Sequence, residues 1–258
     1  MQGPDEFEGR IAALDPGLFD LVETQSNEKD RRSWLALQRA VREAKAPFVY
    51  LEIGSYMGGS LQQYLQDPKC SRIYSIDVRA RDQRHADNSE QAMLENLRAV
   101  APDQLPKLVC FDSDARDQRP GSIPDAPDLC FIDGEHTTEA VLSDFAFCLS
   151  VCASDAVIYF HDAGRTRAGI AECLRRLRRS NQPFVAHKLP GNTFVVALAG
   201  SPAGTDPRVR RMAVAVNGER WLLTSPVTKR ARRWVPAALR PACARARDLL
   251  WGAVRQSR

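Results

Sequence analysis

Residues 51–60 read Leu51-Glu52-Ile53-Gly54-Ser55-Tyr56-Met57-Gly58-Gly59-Ser60. An apolar run that begins at Phe48 ends here on an acid, passes through glycines at 54, 58 and 59, and gives way to a helical pattern from Leu61 to Leu65. Glycines let the backbone turn tightly and approach a ligand closely, and the N-terminus of the following helix offers unpaired N–H groups. Strand, glycine loop and helix in that order open an α/β sheet whose ligands lie at the carboxyl ends of its strands. Tyr56 stands where a G-x-G-x-x-G fingerprint needs glycine, which argues against a nicotinamide dinucleotide, and no Gly-Lys-Ser/Thr follows to make a phosphate-binding P-loop. Glu52 beside such a loop suits a ligand carrying a cationic ammonium or sulfonium.

Outward from this stretch, short apolar runs alternate with helical patterns. Phe48–Ile53, Arg72–Val78, Lys107–Phe111, Asp128–Asp133 and Ala156–His161 read as strands covered on both faces, as in a parallel sheet. Between them, Met93, Leu97 and Val100, then Val141, Phe145 and Leu149, then Ile170, Leu174 and Leu177 recur at helical spacing. Upstream, residues 31–46 place Trp34, Leu37, Val41 and Ala44 on one helical face, closed by Pro47. Two last runs, Phe184–Leu189 and Thr193–Ala199, are joined only by Pro190-Gly191-Asn192. So short a link forbids a helical crossover, and the last strand is expected to enter the sheet antiparallel.

The strand ends carry the chemistry. The second strand finishes at Asp77, about twenty residues beyond the glycine loop, where an acid accepts both hydroxyls of a ribose. The third ends Asp112-Ser113-Asp114, able to hydrogen-bond an adenine edge. The fourth ends Asp133-Gly134-Glu135-His136 and the fifth His161-Asp162. An adenosyl ligand with a cationic amino-acid end satisfies the first three.

Taken in order, these five strand ends resemble the class I S-adenosylmethionine (SAM)-dependent methyltransferases over about residues 47–200. The stretch Ile132-Asp133-Gly134-Glu135-His136 is similar to the small-molecule O-methyltransferases, among them sugar O-methyltransferases of the macrocin and mycinamicin type. The resemblance implies a doubly wound, mostly parallel seven-stranded α/β sheet with the last strand antiparallel, the Rossmann-like methyltransferase fold. Three segments are expected: an N-terminal helical cap at 1–46, the SAM-binding domain at 47–200 that the resemblance covers, and, read from the sequence pattern, a basic C-terminal hairpin and helix at 201–258. It also implies cofactor-binding roles for Glu52, Gly54, Tyr56, Gly58, Ser60, Asp77, Asp112 and Ser113. His136, three positions after Asp133, matches the general-base histidine of the mycinamicin-type enzymes, and a neutral imidazole can accept an alcohol proton. Those relatives also use a divalent ion. Asp133 and Asp162 match two of its ligands and His161 replaces a third, so the implied metal is Mg²⁺ or Mn²⁺ held by Asp133, His161 and Asp162. His187, in mid-strand, reads as packing, and His85 as part of a polar loop.

Composition narrows the remaining choices. The 258 residues are 44% hydrophobic and 26% charged, with no run long enough to span a bilayer. The acidic start Met1–Glu6 has no apolar stretch behind a basic one, so the expected location is the cytoplasm. Seven cysteines without a C-x-x-C pair support neither a disulfide framework nor a zinc knuckle. The net charge of +4 is uneven, because residues 201–258 hold 13 Lys/Arg against 3 Asp/Glu. Such a basic segment packs on a subunit in a homo-oligomer or meets an anionic surface, including a membrane. Within that segment, an Asn217-Gly218 turn between Met212–Val216 and Arg220–Leu223 signals a hairpin, and Ala237–Val254 a helix. Nucleic acid is a poor partner, since no catalytic loop for an extruded base follows the fourth strand. The expected function is methyl transfer from SAM to a hydroxyl of a small molecule, sugar or glycan. The alternative is a binding or assembly protein that kept the fold, to which the His161 substitution points.

Overall fold

The computed structural model describes residues 4–79 and 89–224. Seven strands form one sheet: β1 (Phe48–Ile53), β2 (Cys70–Asp77), β3 (Leu108–Asp112), β4 (Leu129–Ile132), β5 (Val157–Phe160), β6 (Phe184–Lys188) and β7 (Phe194–Leu198). Their spatial order is β3-β2-β1-β4-β5-β7-β6. The first five run parallel, and β7 inserts antiparallel between β5 and β6, as the short Pro190–Asn192 link requires. The order reverses between β1 and β4, so a crevice opens above their carboxyl ends. All four residues of β4 and of β5 are buried, which is why both read as continuous apolar runs.

Helices cover both faces of the sheet: α1 (Pro4–Ala13), α2 (Glu28–Ala44), α3 (Gln62–Gln66), α4 (Glu90–Val100), α5 (Thr138–Val151) and α6 (Arg167–Arg179), with the short α7 (Pro202–Thr205), α8 (Pro207–Met212) and α9 (Gly218–Leu223) after the sheet. α2 starts three residues before the apolar stripe suggested. Asn27 caps the N–H groups of Lys29 and Asp30 while Asp30 reaches back to Asn27, a reciprocal pair that fixes the first turn. Trp34, Leu37 and Val41 are buried, each worth about 1.5–3 kcal/mol in transfer free energy. The fully buried Arg42 binds Asp67 at 2.9 Å and Glu8 at 2.7 Å, tying α1, α2 and the end of α3 together. Helix α1 was not legible in the loosely patterned start, yet it buries Phe7 and Ile11 in the core.

No α-helix joins β3 to β4. Two 3₁₀ turns, Ala115–Asp117 and Pro120–Ser122, make that connection instead.

The hairpin expected around Asn217-Gly218 is not present. Residues 207–212 are helical, Ala215 makes an antiparallel bridge to Lys188 on the edge strand β6, and Gly218 opens α9. A Cβ on Gly218 would lie 2.8 Å from the ring of Phe194, so that glycine answers to close packing rather than to a turn. The chain forms two compact units, Met1–Glu219 and Arg220–Arg258. The second is described only as far as Thr224, so the expected helix at 237–254 and the basic run at 229–233 lie outside the described residues, as does His85. Among the described residues no helix is long and apolar enough to cross a membrane.

Candidate active site

A cleft of about 1180 Å³ lies over the carboxyl ends of β1 to β5. Its geometry follows from the glycine loop. Gly54 has φ +93°, and a Cβ there would stand 2.4 Å from the carbonyl oxygen of Asp133, so β1 and β4 diverge at a spacing only glycine permits. The backbone N–H of Tyr56, itself at φ +47°, donates to the Asp77 carboxylate at 2.5 Å. Burial raises the pKa of Asp77, and the carboxylate faces the cleft.

Of the residues expected to bind the cofactor, Gly54, Tyr56, Ser60, Asp77 and Ser113 line the cleft. Glu52, Gly58 and Asp112 do not. Glu52 is wholly buried beneath the floor, accepting from the Ser60 hydroxyl at 2.5 Å and the Tyr50 hydroxyl at 2.6 Å. Burial pushes its pKa up to about 8 despite those hydrogen bonds. It meets the cleft through Ser60 and Ser55, both of which line it. Gly58, at φ +85°, instead lets Met93 and Leu97 of α4 pack against the loop. Asp112 is exposed and accepts from the Arg79 N–H at 3.2 Å.

At the other end stand the residues expected to do chemistry. His136 Nε2 lies 3.4 Å from Asp162 and 3.8 Å from Asp133, inside ion-pair range of both carboxylates, yet it has no hydrogen-bond partner. His161 is 8% exposed. Its Nδ1 lies 3.2 Å from both Asp133 oxygens and its Nε2 3.5 Å from Asp30. Burial alone would lower its pKa, but the carboxylates of Asp133 and Asp30 outweigh that and hold it at about 10. His161 is therefore an imidazolium at neutral pH, set edge-on to Trp34 with ring centroids 5.3 Å apart. Asp162, at φ +45°, holds a backbone conformation that costs a non-glycine residue roughly 1–3 kcal/mol and turns its carboxylate toward His136 and Arg165.

This arrangement does not fit the implied Mg²⁺ or Mn²⁺. A ligating histidine must offer a lone pair, and the carboxylates of Asp133 and Asp30 favour the protonated form of His161, which opposes that role. Asp133 is engaged by the same cation, and among the described residues no group of three or more His, Cys, Asp or Glu side chains is placed to hold a metal. The positive charge at this end belongs to the chain itself.

Residues 51–163 match the family model described as a methyltransferase domain. That span runs from the glycine loop through the ends of β4 and β5, the segment that builds the cleft. Over that span the chain is similar to a methyltransferase domain. The methyltransferase fold is shared with cofactor-bound Rv0187 from MTB, at 13% identity and TM-score 0.52 over 78% of this chain and 99% of that one. It is shared also with the O-methyltransferase from Bacillus cereus in complex with SAH, at 14% identity and TM-score 0.51 over 77% and 92%. No curated protein matches the sequence.

Several residues of the methyltransferase cleft were not read from the sequence. Glu23 to Asn27, Asp30 and Trp34 from the N-terminal segment form one wall; Arg116, Asp144, Arg165 and Asn192 complete others. Asp30 left a signal, the Asn27-x-x-Asp30 capping pair at the start of α2. Asp144 left another, an acid inside the buried stripe of α5 between Val141 and Cys148. His187 packs as expected, buried with Nδ1 2.8 Å from the Val216 carbonyl.

Proposed function

We propose that this methyltransferase moves the methyl group of SAM to a hydroxyl of a polar small molecule, a sugar or glycan, with His136 as general base. The observation that carries this reading is the unpartnered Nε2 of His136 in the cleft, between Asp133 and Asp162. An imidazole that takes a hydroxyl proton becomes a cation, and two carboxylates within 4 Å stabilise that cation as it forms. SAM supplies an already activated sulfonium methyl. The chain's work is then alignment of the oxygen and removal of its proton, the first worth several kcal/mol and the second about 10²–10⁴-fold in rate.

Asp77 is suited to accept the ribose hydroxyls, Gly54, Tyr56 and Ser60 to surround the methionine part, and Ser113 to approach the base. Glu52 would act through Ser60, as a positioning residue. Polar side chains dominate the proposed acceptor end: Thr24, Gln25, Ser26, Asn27, Asn192 and Arg165 line it, with Trp34 as an aromatic wall. Such a lining favours an acceptor with several hydroxyls over a flat apolar phenol. His161 in place of an acid is no mark of lost chemistry here, because its charge is held by Asp30 and Asp133 beside the proposed base.

The test is product formation from labelled SAM with panels of nucleotide sugars, free sugars, glycosides and phenols, scored by a mass gain of one methylene. Methylation confined to nitrogen or carbon acceptors, or undiminished turnover in His136→Ala, would overturn the reading.

A further inference from the structure

Gln62, the first residue of α3, is fully buried and lies outside the cleft lining, yet its whole amide is engaged by another segment. Its Oε1 accepts the N–H groups of Leu21 at 3.0 Å and Val22 at 3.1 Å. Its Nε2 lies 2.8 Å from the Val22 carbonyl, 3.0 Å from that of Phe19 and 2.7 Å from that of Gly59, so its two hydrogens are shared among three acceptors. Both backbone groups of Val22 are thus met by one side chain, as a neighbouring strand would meet them. Gln66, one turn on, adds to the hold by donating to the Leu18 carbonyl at 3.2 Å. The segment so gripped joins α1 to α2 and continues directly into Glu23–Asn27, a wall of the cleft. Gly59 belongs to the glycine loop, whose Tyr56 and Ser60 line the cleft from the other side. The two meet closely, since a Cβ on Gly59 would stand 2.2 Å from the Glu23 carbonyl oxygen. Only a primary amide serves here. A glutamate would set its oxygens against three carbonyls, and a methionine would leave the Leu21 and Val22 N–H groups buried without partners.

We propose that Gln62 is a positioning residue for methyl transfer: it registers the 23–27 wall against the glycine loop, so that occupation of the loop by the cofactor is transmitted to the wall that meets the acceptor. The assignment rests on the SAM and hydroxyl-acceptor reading above. The sulfonium methyl is placed by the loop and the attacking oxygen by the wall, and a misplacement of about 1 Å between them costs roughly 10²-fold in rate. Gln62 stands 40 residues from Val22 in the sequence and binds both parts at once.

Hydrogen exchange read by mass spectrometry on the full chain, with and without S-adenosylhomocysteine, tests the link, and calorimetry gives the affinity. In wild type the compound should slow exchange over residues 19–27 about 5-fold or more. Gln62→Glu should bind it within about 3-fold of wild type, protect the glycine loop, and show no slowing over 19–27. Equal slowing in both proteins, or none in a wild type that binds the compound, overturns the proposal and leaves the cofactor reading intact. Absence of binding to wild type overturns both. Should the glutamate variant not fold, Gln62→Met, neutral and of similar length, carries the same comparison. On the sugar best methylated in the panel above, either variant should raise the acceptor KM about 10-fold or more and leave the SAM KM within about 3-fold. An acceptor KM equal to that of wild type refutes the role, because a merely structural defect lowers the active fraction and not KM. If no sugar is methylated, the hydroxyl reading falls, and the exchange result still decides whether Gln62 joins wall to loop.

Discussion

Replacing Asp144 by asparagine removes an ionisable group from a place where ionisation is costly. Burial raises this carboxyl from 3.8 to about 7, with Asp114 and Glu135 adding to the effect and Arg116 opposing it. At roughly 1.36 kcal/mol per pH unit, that shift amounts to about 4 kcal/mol of lost stability once the group is fully charged. The sign follows from linkage. The unfolded chain ionises at the ordinary value, so deprotonation favours unfolding; the penalty is absent below about pH 4, grows with pH, and is complete above about pH 7. Asp144→Asn keeps the shape and abolishes the pH dependence. The stability difference between variant and wild type should therefore widen in favour of the variant by about 2.5 kcal/mol from pH 5 to pH 8. Urea unfolding of the cofactor-free proteins, followed by far-ultraviolet circular dichroism at both pH values, measures it. Other titrating groups are common to both proteins and cancel in the difference. Parallel stability curves would show that Asp144 is solvated or paired in solution, and would refute the cost assigned to its ionisation.

Four further outcomes follow from the same geometry. His136→Ala should lower turnover about 10²–10⁴-fold with SAM affinity nearly unchanged, measured by steady-state kinetics beside calorimetry. The Asp30–His161–Asp133 cluster stabilises the fold fully below pH 6.5 and loses that contribution as pH rises through about 10, so wild type should weaken over this interval and Asp30→Asn should flatten the loss, read by thermal melting. Gly59→Ala would place a Cβ 2.2 Å from the Glu23 carbonyl, a clash with backbone expected to cost about 1–3 kcal/mol and to displace the 23–27 wall, read as a lower melting temperature and a raised acceptor KM. Chelation should leave turnover unchanged, and Mn²⁺ titrated into the cofactor-free protein should show no stoichiometric site by paramagnetic resonance.

The five parallel strands were legible because they are apolar along most of their length and four of the five end in an acid or acid pair, as strands covered on both faces of a ligand-binding sheet do. Asp77 and His136 came with that pattern. What escaped was set by contacts distant in sequence. Asn217-Gly218 is a strong local turn signal, yet the edge of β6 captures Ala215 and the ring of Phe194 claims Gly218, so tertiary packing overrides the turn. Glu52 stands at the right strand end but its side chain points beneath the floor, which alternation along a buried strand does not reveal. The charge on His161 depends on Asp30, more than a hundred residues earlier, and no spacing rule joins the two.

That long-range pairing ties the start of α2 to the end of β5. Asp30 caps the first turn of α2, accepts the Asn192 N–H from the β6–β7 turn at 2.5 Å, and faces His161 at the end of β5. One carboxylate thus fixes three elements around the acceptor end of the cleft. Gly191 beside it has no room for a side chain, since a Cβ would fall 2.1 Å from the Asp30 carboxylate. The imidazole so held lies 3.2 Å from the Asp133 carboxylate and directs it, and Asp133 in turn lies 3.8 Å from His136. If His136 takes the proton, the cation it becomes sits in a field prepared by Asp133 and Asp162, while His161 offsets the negative charge those acids would otherwise concentrate. Asp30, His161, Asp133, His136 and Asp162 thus form one row of alternating acids and imidazoles across this end of the cleft, and a change at Asp30 reaches His136 through His161 and Asp133.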